Sequence, residues 1–290
     1  MKTEVSFFSE GSKISADLYL PENLDVGKKY PAIVLCHGFT GIKEVLLPAF
    51  AEEFAKNGFA SLVFDYRGFG GSEGERGRLV PLEQVADIRS AIAFMETLPE
   101  VDGARIGLWG SSFGGANTIT AAYFDKRVKA LVVQLTFGSG ERVITGKMSP
   151  EEKEKIRSTM KKLEQKYVLT GKQMMLSQTQ VLSDPDSKAY FEKMIKEFPK
   201  VETKIPFLTV KRTMDYKPEE FLKEVNVPVL ILGAEKDIVN PPDESKILFE
   251  KANEPKKLVM IKDASHYELY SGEKFKEAFA EELIWFKKYL

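Results

Sequence analysis

The chain holds one cysteine, two histidines and two tryptophans in 290 residues. A single cysteine excludes an internal disulfide framework. Cys36 closes the apolar run Pro31-Ala32-Ile33-Val34-Leu35-Cys36 and reads as a small core residue. Two isolated histidines and one buried-type cysteine give no ligand cluster, so neither a metal nor a cofactor is expected. An excess of charge is also missing: 42 Lys+Arg stand against 43 Asp+Glu. Without a basic tract, nucleic acid is not an expected partner. No apolar run approaches membrane-spanning length, and the start Met1-Lys2-Thr3-Glu4 carries no apolar signal core. A phosphate loop is absent too, because Gly68-Phe69-Gly70-Gly71 is not followed by the Lys-Ser/Thr such a loop requires. These absences leave a cytoplasmic protein with a small-molecule substrate and no membrane contact. A homodimer is compatible with the hairpin edge or the last helix. The length allows one large domain with an insertion.

What is present is an alternation of strand and helix patterns. Residues 5–20 form two alternating runs around the turn Glu10-Gly11-Ser12 and predict an antiparallel hairpin at a sheet edge. Strands are expected at 32–35, 60–64, 105–109, 128–134, 227–232 and 257–261. Helices are expected at 47–57, 82–98, 116–124, 243–252 and 273–290. Such alternation predicts an α/β fold with a mostly parallel, doubly wound sheet covered on both faces. The stripe Phe275, Phe279, Leu283, Phe286, Leu290 is core packing of the last helix.

Residues 138–225 interrupt the pattern. Ser149-Pro150-Glu151-Glu152 joins an N-cap serine, proline at the first helical position and glutamate at N3, a capping box. The helix it opens shows Ile156, Met160, Leu163 and Tyr167 on one face, and a second helix is expected at 187–198. Six of the nine methionines fall in this segment. Met148, Met174 and Met175 are taken as candidate pocket lining, because thioethers suit an adaptable apolar wall.

Gly110-Ser111-Ser112-Phe113-Gly114 follows the strand pattern at 105–109 and precedes a helical one. This is the strand–G-x-S-x-G–helix context of a nucleophile elbow, with Ser112 as nucleophile and Ser111 off the glycine spacing. The glycines are expected both to relieve crowding and to take up strained torsions. A serine hydroxyl needs a base and a group that orients it. His266 lies past the strand at 257–261, and Asp237 past that at 227–232. Ser112, Asp237, His266 is therefore the chain order, each beyond the C-terminal end of a strand, where open parallel sheets place their sites. Asp243 lies too far into the next helix and Asp263 too near His266 to serve as the acid. His37, in His37-Gly38-Phe39-Thr40-Gly41, is read as a structural anchor. The backbone N–H groups of Phe39 and Phe113 are the candidate oxyanion donors. Tyr267 is a candidate substrate contact.

These segments, with Asp65-Tyr66-Arg67-Gly68-Phe69-Gly70-Gly71-Ser72 matching a D-x-R-G-x-G-x-S loop, resemble the α/β-hydrolase superfamily. The likeness is to a lidded serine esterase branch related to X-Pro dipeptidyl-peptidase and dienelactone hydrolase. It implies a core of residues 1–137 and 226–290 and a helical cap, or lid, at 138–225. It also implies a Ser-His-Asp serine hydrolase, in the first place a carboxylesterase acting on apolar, uncharged esters through an acyl-serine. Thioesterase, lactonase, peptidase and acyltransferase are the alternatives. A single glycine after His37, in place of a glycine run, implies the simpler oxyanion turn and less room for tertiary-alcohol esters.

Overall fold

The computed structural model describes residues 1–22, 24, 25 and 27–290. The hairpin forms as β1 (Lys2–Ser9) and β2 (Ser12–Tyr19) in antiparallel register, Ser9 opposite Ser12. β3 (Tyr30–Cys36), α1 (Leu47–Lys56), β4 (Ala60–Phe64), α2 (Pro81–Glu96), β5 (Val101–Ser111), α3 (Phe113–Phe124) and β6 (Val128–Gln134) follow. Then come α4 (Gly140–Thr145), α5 (Pro150–Thr170), β7 (Met175–Ser177), α6 (Gln178–Val181), α7 (Pro185–Glu197), β8 (Lys204–Pro206), α8 (Leu208–Asp215) and α9 (Pro218–Leu222). The chain closes with β9 (Val229–Ala234), α10 (Pro242–Lys251), β10 (Lys256–Ile261) and α11 (Gly272–Tyr289).

Eight strands make one sheet in the order β1-β2-β4-β3-β5-β6-β9-β10. β2 joins β4 antiparallel, and every later pairing in the sheet is parallel. The pleat sends successive side chains to opposite faces. In β3, Ala32, Val34 and Cys36 pack into the core shared with α2, α3 and α10, while Ile33 and Leu35 pack into the one shared with α1 and α11. Because both faces are covered, β4 and β9 are buried at every position, which is why β9 reads as an unbroken apolar run and β4 as one interrupted only by Ser61.

β5 extends to Ser111, two residues beyond the expected end, and α3 begins at Phe113 rather than at 116. The elbow therefore compresses strand end, turn and helix start into consecutive residues. Between β6 and β9, the expected helices are α5 and α7. The short α4, α6, α8 and α9 and the β7–β8 ladder went unread, being too brief to show a period. α5 has the predicted capping box, but of its apolar face only Met160 is buried. α7 packs Phe191 and Met194 onto Ile42 and Val45, in the loop that follows β3.

Candidate active site

Ser112 stands between β5 and α3 at φ 54° and ψ −124°, a backbone conformation that a side chain disfavours. Such strain costs on the order of 1–3 kcal/mol and persists only where surroundings over-determine it. Here its N–H donates to Gln134 O at 2.9 Å, and its carbonyl accepts from Thr136 Oγ1 at 2.7 Å and Gly115 N at 3.0 Å. Of the two roles expected of the elbow glycines, relief of crowding holds and the strained torsion does not. Neither Gly110 nor Gly114 has positive φ; the strained torsion belongs to the serine itself. Both are glycines because of space: a Cβ on Gly114 would lie 2.1 Å from Cys36 O, and one on Gly110 2.5 Å from Gly114 O. Gly38 presses on Ser112 from the other side, with a Cβ position 3.1 Å from Ser112 Cβ.

β9 and β10 are neighbours in register, so the loops at their C-terminal ends meet. His266 Nδ1 lies 2.7 Å from Asp237 Oδ2, and both side chains are buried. The other carboxylate oxygen, Oδ1, accepts the N–H groups of Val239 and Asn240, each at 2.8 Å. Asp237 is thus fixed at both oxygens and can hold the imidazole in one tautomer. The competitors are elsewhere: Asp243 is exposed and paired with Lys246, and Asp263 with Lys236. Ser111 is buried, with its hydroxyl 2.6 Å from Tyr270 Oη.

Ser112 and His266 face one small cavity, yet the hydrogen bond between them is not formed. Among the described residues, the hydrogen-bond partner of Ser112 Oγ is the Asn240 carboxamide, Nδ2 at 3.4 Å; the same nitrogen donates to Leu135 O at 2.7 Å. Asn240 was not anticipated. Its distance of 128 residues from Ser112 leaves no pattern to find, except that it lies three places after Asp237. The N–H groups of Phe39 and Phe113 have no acceptor among the described residues. Both flank Ser112, their rings 6.3 Å apart.

His37 is buried, its Nδ1 3.1 Å from Gly38 O and its ring edge-on to Tyr66 at 4.8 Å. Burial pushes its imidazole down to about 4, so it stays neutral at pH 7. The Asp65 loop braces the same turn: Asp65 accepts Lys43 N at 2.6 Å and Gly71 N at 2.7 Å. Burial raises its carboxyl to about 6 against those two donors.

Two cavities meet at Ser112. One of about 50 Å³ includes His266, Tyr190, Tyr267 and Tyr270 in its wall. The other, about 430 Å³, is lined by Phe113, Val143, Met148 and Leu176 among others. They share Phe39, Ser112, Leu182 and Val239, which form the neck between them. Of the candidate contacts, Tyr267 lines the small cavity and Met148 the large one. Met174 and Met175 line neither and are close to half exposed. In β7 the pleat turns Met175 outward and Leu176 inward. No group of three or more metal-ligating side chains occurs among the described residues. Likewise, no helix among them is long and apolar enough to cross a membrane.

A mostly parallel sheet with an N-terminal antiparallel hairpin and helices on both faces is the α/β-hydrolase fold, and Ser112, Asp237 and His266 stand beyond the C-terminal ends of β5, β9 and β10. The model of the family described as serine aminopeptidase, S33, matches residues 27–271, and the chain belongs to that hydrolase family. It is 47% identical over 280 residues to the "Uncharacterized 31.7 kDa protein in traX-finO intergenic region" of Escherichia coli, covering 96% of this chain and 98% of that one. It is 32% identical to "Thiohydrolase aneE" of Aspergillus aculeatus, over 94% of this chain and 89% of the relative. The solved structure of the "DcsB complex with its substrate analogue" superposes with a TM-score of 0.86 at 28% identity, covering both chains completely.

Proposed function

We propose that this chain is a serine hydrolase that cleaves carboxylic esters of apolar, uncharged acids through an acyl-serine intermediate. The reading is carried by Ser112 and His266 facing one cavity, with Asp237 bonded to His266 and the unpaired amides of Phe39 and Phe113 on either side of Ser112. Ser112 Oγ attacks the carbonyl carbon while His266 Nε2 takes its proton. Asp237 orients the imidazole and stabilises its cationic form. The carbonyl oxygen, now negative, accepts hydrogen bonds from Phe39 and Phe113 N–H. The C–O bond breaks as His266 returns the proton to the leaving oxygen, and the alcohol departs. Water, deprotonated by His266, then releases the acid. For the attack, Ser112 Oγ leaves Asn240 and turns to His266, a rotation about one side-chain bond.

Residues 138–225 serve as a lid in this reading: α7 rests on the loop after β3, and the segment supplies Val143, Met148, Leu176 and Val210 to the large cavity. A thioester is the second reading, favoured by the name of the Aspergillus relative; Ser112, His266 and the two amides act identically on either carbonyl.

The test is hydrolysis of ethyl esters of increasing acyl length, followed by proton release, for wild type and Ser112→Ala. Turnover is expected to fall at least roughly 10⁴-fold in the variant. Undiminished turnover by Ser112→Ala would refute the assignment. Turnover of the matching thioesters alone would select the second reading.

A further inference from the structure

Resting on the acyl-serine reading, we infer that the large cavity holds the acyl group and the small tyrosine-walled cavity holds the leaving group. The enzyme is then selective for a bulky apolar acid joined to a compact alcohol or thiol. The direction follows from the proton. The leaving atom must reach His266 Nε2 to be protonated, so it lies on the His266 side of Ser112. Only the small cavity includes His266; the large one reaches Ser112 and Phe113 without it. Once the carbonyl oxygen points at the amides and the leaving atom at His266, the acyl substituent has the large cavity left to enter.

The volumes then set the substrate class. About 430 Å³ falls within the range of small-molecule sites, and its walls are largely apolar, with Phe137, Val143, Ile144, Met148, Ile156 and Val210. About 50 Å³ has room for a few water-sized groups. Its walls are braced against widening. Tyr190 and Tyr267 stack at 4.3 Å and 15°, Tyr267 Oη lies 2.9 Å from Ser187 Oγ, and Tyr270 Oη lies 2.6 Å from Ser111 Oγ. The same cavity is where the deacylating water must stand, so a compact site also disfavours large acceptors and keeps the reaction hydrolytic.

Methyl octanoate and heptyl acetate, isomers that place the long chain on opposite sides of the ester, test the partition in the wild-type enzyme. Methyl octanoate is expected to have the higher kcat/KM by about tenfold or more, the worth of roughly two buried methylenes. Tyr190→Ala is expected to narrow the gap by raising heptyl acetate turnover. Val143→Trp is expected to lower the ratio of methyl octanoate to methyl acetate. Equal rates for the isomers, or a preference for heptyl acetate, would overturn the partition while leaving the ester chemistry standing. Turnover of neither isomer by the folded enzyme would overturn the ester reading and the partition with it.

Discussion

Glu282 sits on α11 with no exposed surface, in the core beneath β5, the strand that delivers Ser112. Neither of its carboxyl oxygens completes a hydrogen bond. Burial pushes its carboxyl from 4.5 up to about 8, with the nearby Trp109 indole acting in the opposite direction. Glu282→Gln keeps the shape and removes the titration. In the unfolded chain the glutamate ionises near 4.5, whereas in the folded protein it holds its proton to about 8. Between those values the folded state binds the extra proton, so stability falls as pH rises, by about 1.4 kcal/mol per pH unit. The whole interval amounts to on the order of 5 kcal/mol, fully avoided below the unfolded value and fully lost above the folded one. A domain of this kind has only ~5–15 kcal/mol in total.

Urea unfolding of wild type and Glu282→Gln across pH 5 to 8 reads this directly. The variant's advantage is expected to widen by about 4 kcal/mol between those limits. His37 titrates in the opposite sense. With a folded value of about 4 against 6.5, it removes stability as pH falls through that window. That loss is common to both proteins and cancels in their difference. Parallel stability curves for the two proteins would refute the buried, proton-holding state of Glu282.

Asn240→Ala removes the donor shared by Leu135 O and Ser112 Oγ. Because Ser112 Oγ leaves Asn240 before it attacks, loss of this ground-state hydrogen bond is expected to leave kcat undiminished, or to raise it by up to about tenfold, in steady-state kinetics. Gly114→Ala places a methyl group 2.1 Å from Cys36 O and 2.5 Å from His37 O, both backbone atoms without freedom to retreat. It is expected to displace the Phe113 amide, with a loss of about 10²–10³ in rate and ~1–3 kcal/mol in stability, read by kinetics and thermal melts. Arg142 bridges the carboxylates of Glu219, at 2.6 Å, and Glu244, also held by Gly138 N at 2.8 Å. Arg142→Ala removes the cation shared by two largely buried carboxylates, leaving Glu219 with Lys251 and Glu244 with the N–H groups of Gly138 and Ser139, and is expected to cost ~1–3 kcal/mol, discounted for the partial exposure of the arginine. Urea unfolding checks this, with Arg142→Lys restoring part of the loss.

The parts of the molecule that could be read from the sequence are those where one physical demand acts on consecutive residues. β4 and β9 are buried on both faces and so are apolar but for Ser61, and the positions just past β9 and β10 could be located by counting from such runs. Asp237 and His266 were chosen that way and Ser112 from its glycine spacing, and the structure brings the Asp237 and His266 side chains into contact and places Ser112 and His266 on one cavity. The insertion obeys no such rule over a useful length. β7 and β8 have three residues each and α6 has four, too short for a period to separate inside from outside. There Met174 and Met175 were preferred on chemistry alone, and the pleat gave the inward place to Leu176.

The elbow shows a subtler limit. Glycine at 110 and 114 is consistent with either unusual torsions or absent space, and a sequence does not distinguish them. In the structure the two demands fall on different residues: the glycines yield the space, and Ser112, whose side chain the chemistry requires, carries the positive φ. The division follows from function. On the proposed mechanism a glycine at 112 would relax the turn and abolish the nucleophile, so the strain stays on the serine. Hydrogen bonds from Thr136 and Gly115 and to Gln134 then hold it there. Two of these three partners, Gln134 and Thr136, lie at or just beyond the end of β6. The neighbouring strand and the segment just after it thus help fix the Ser112 backbone where the two cavities meet.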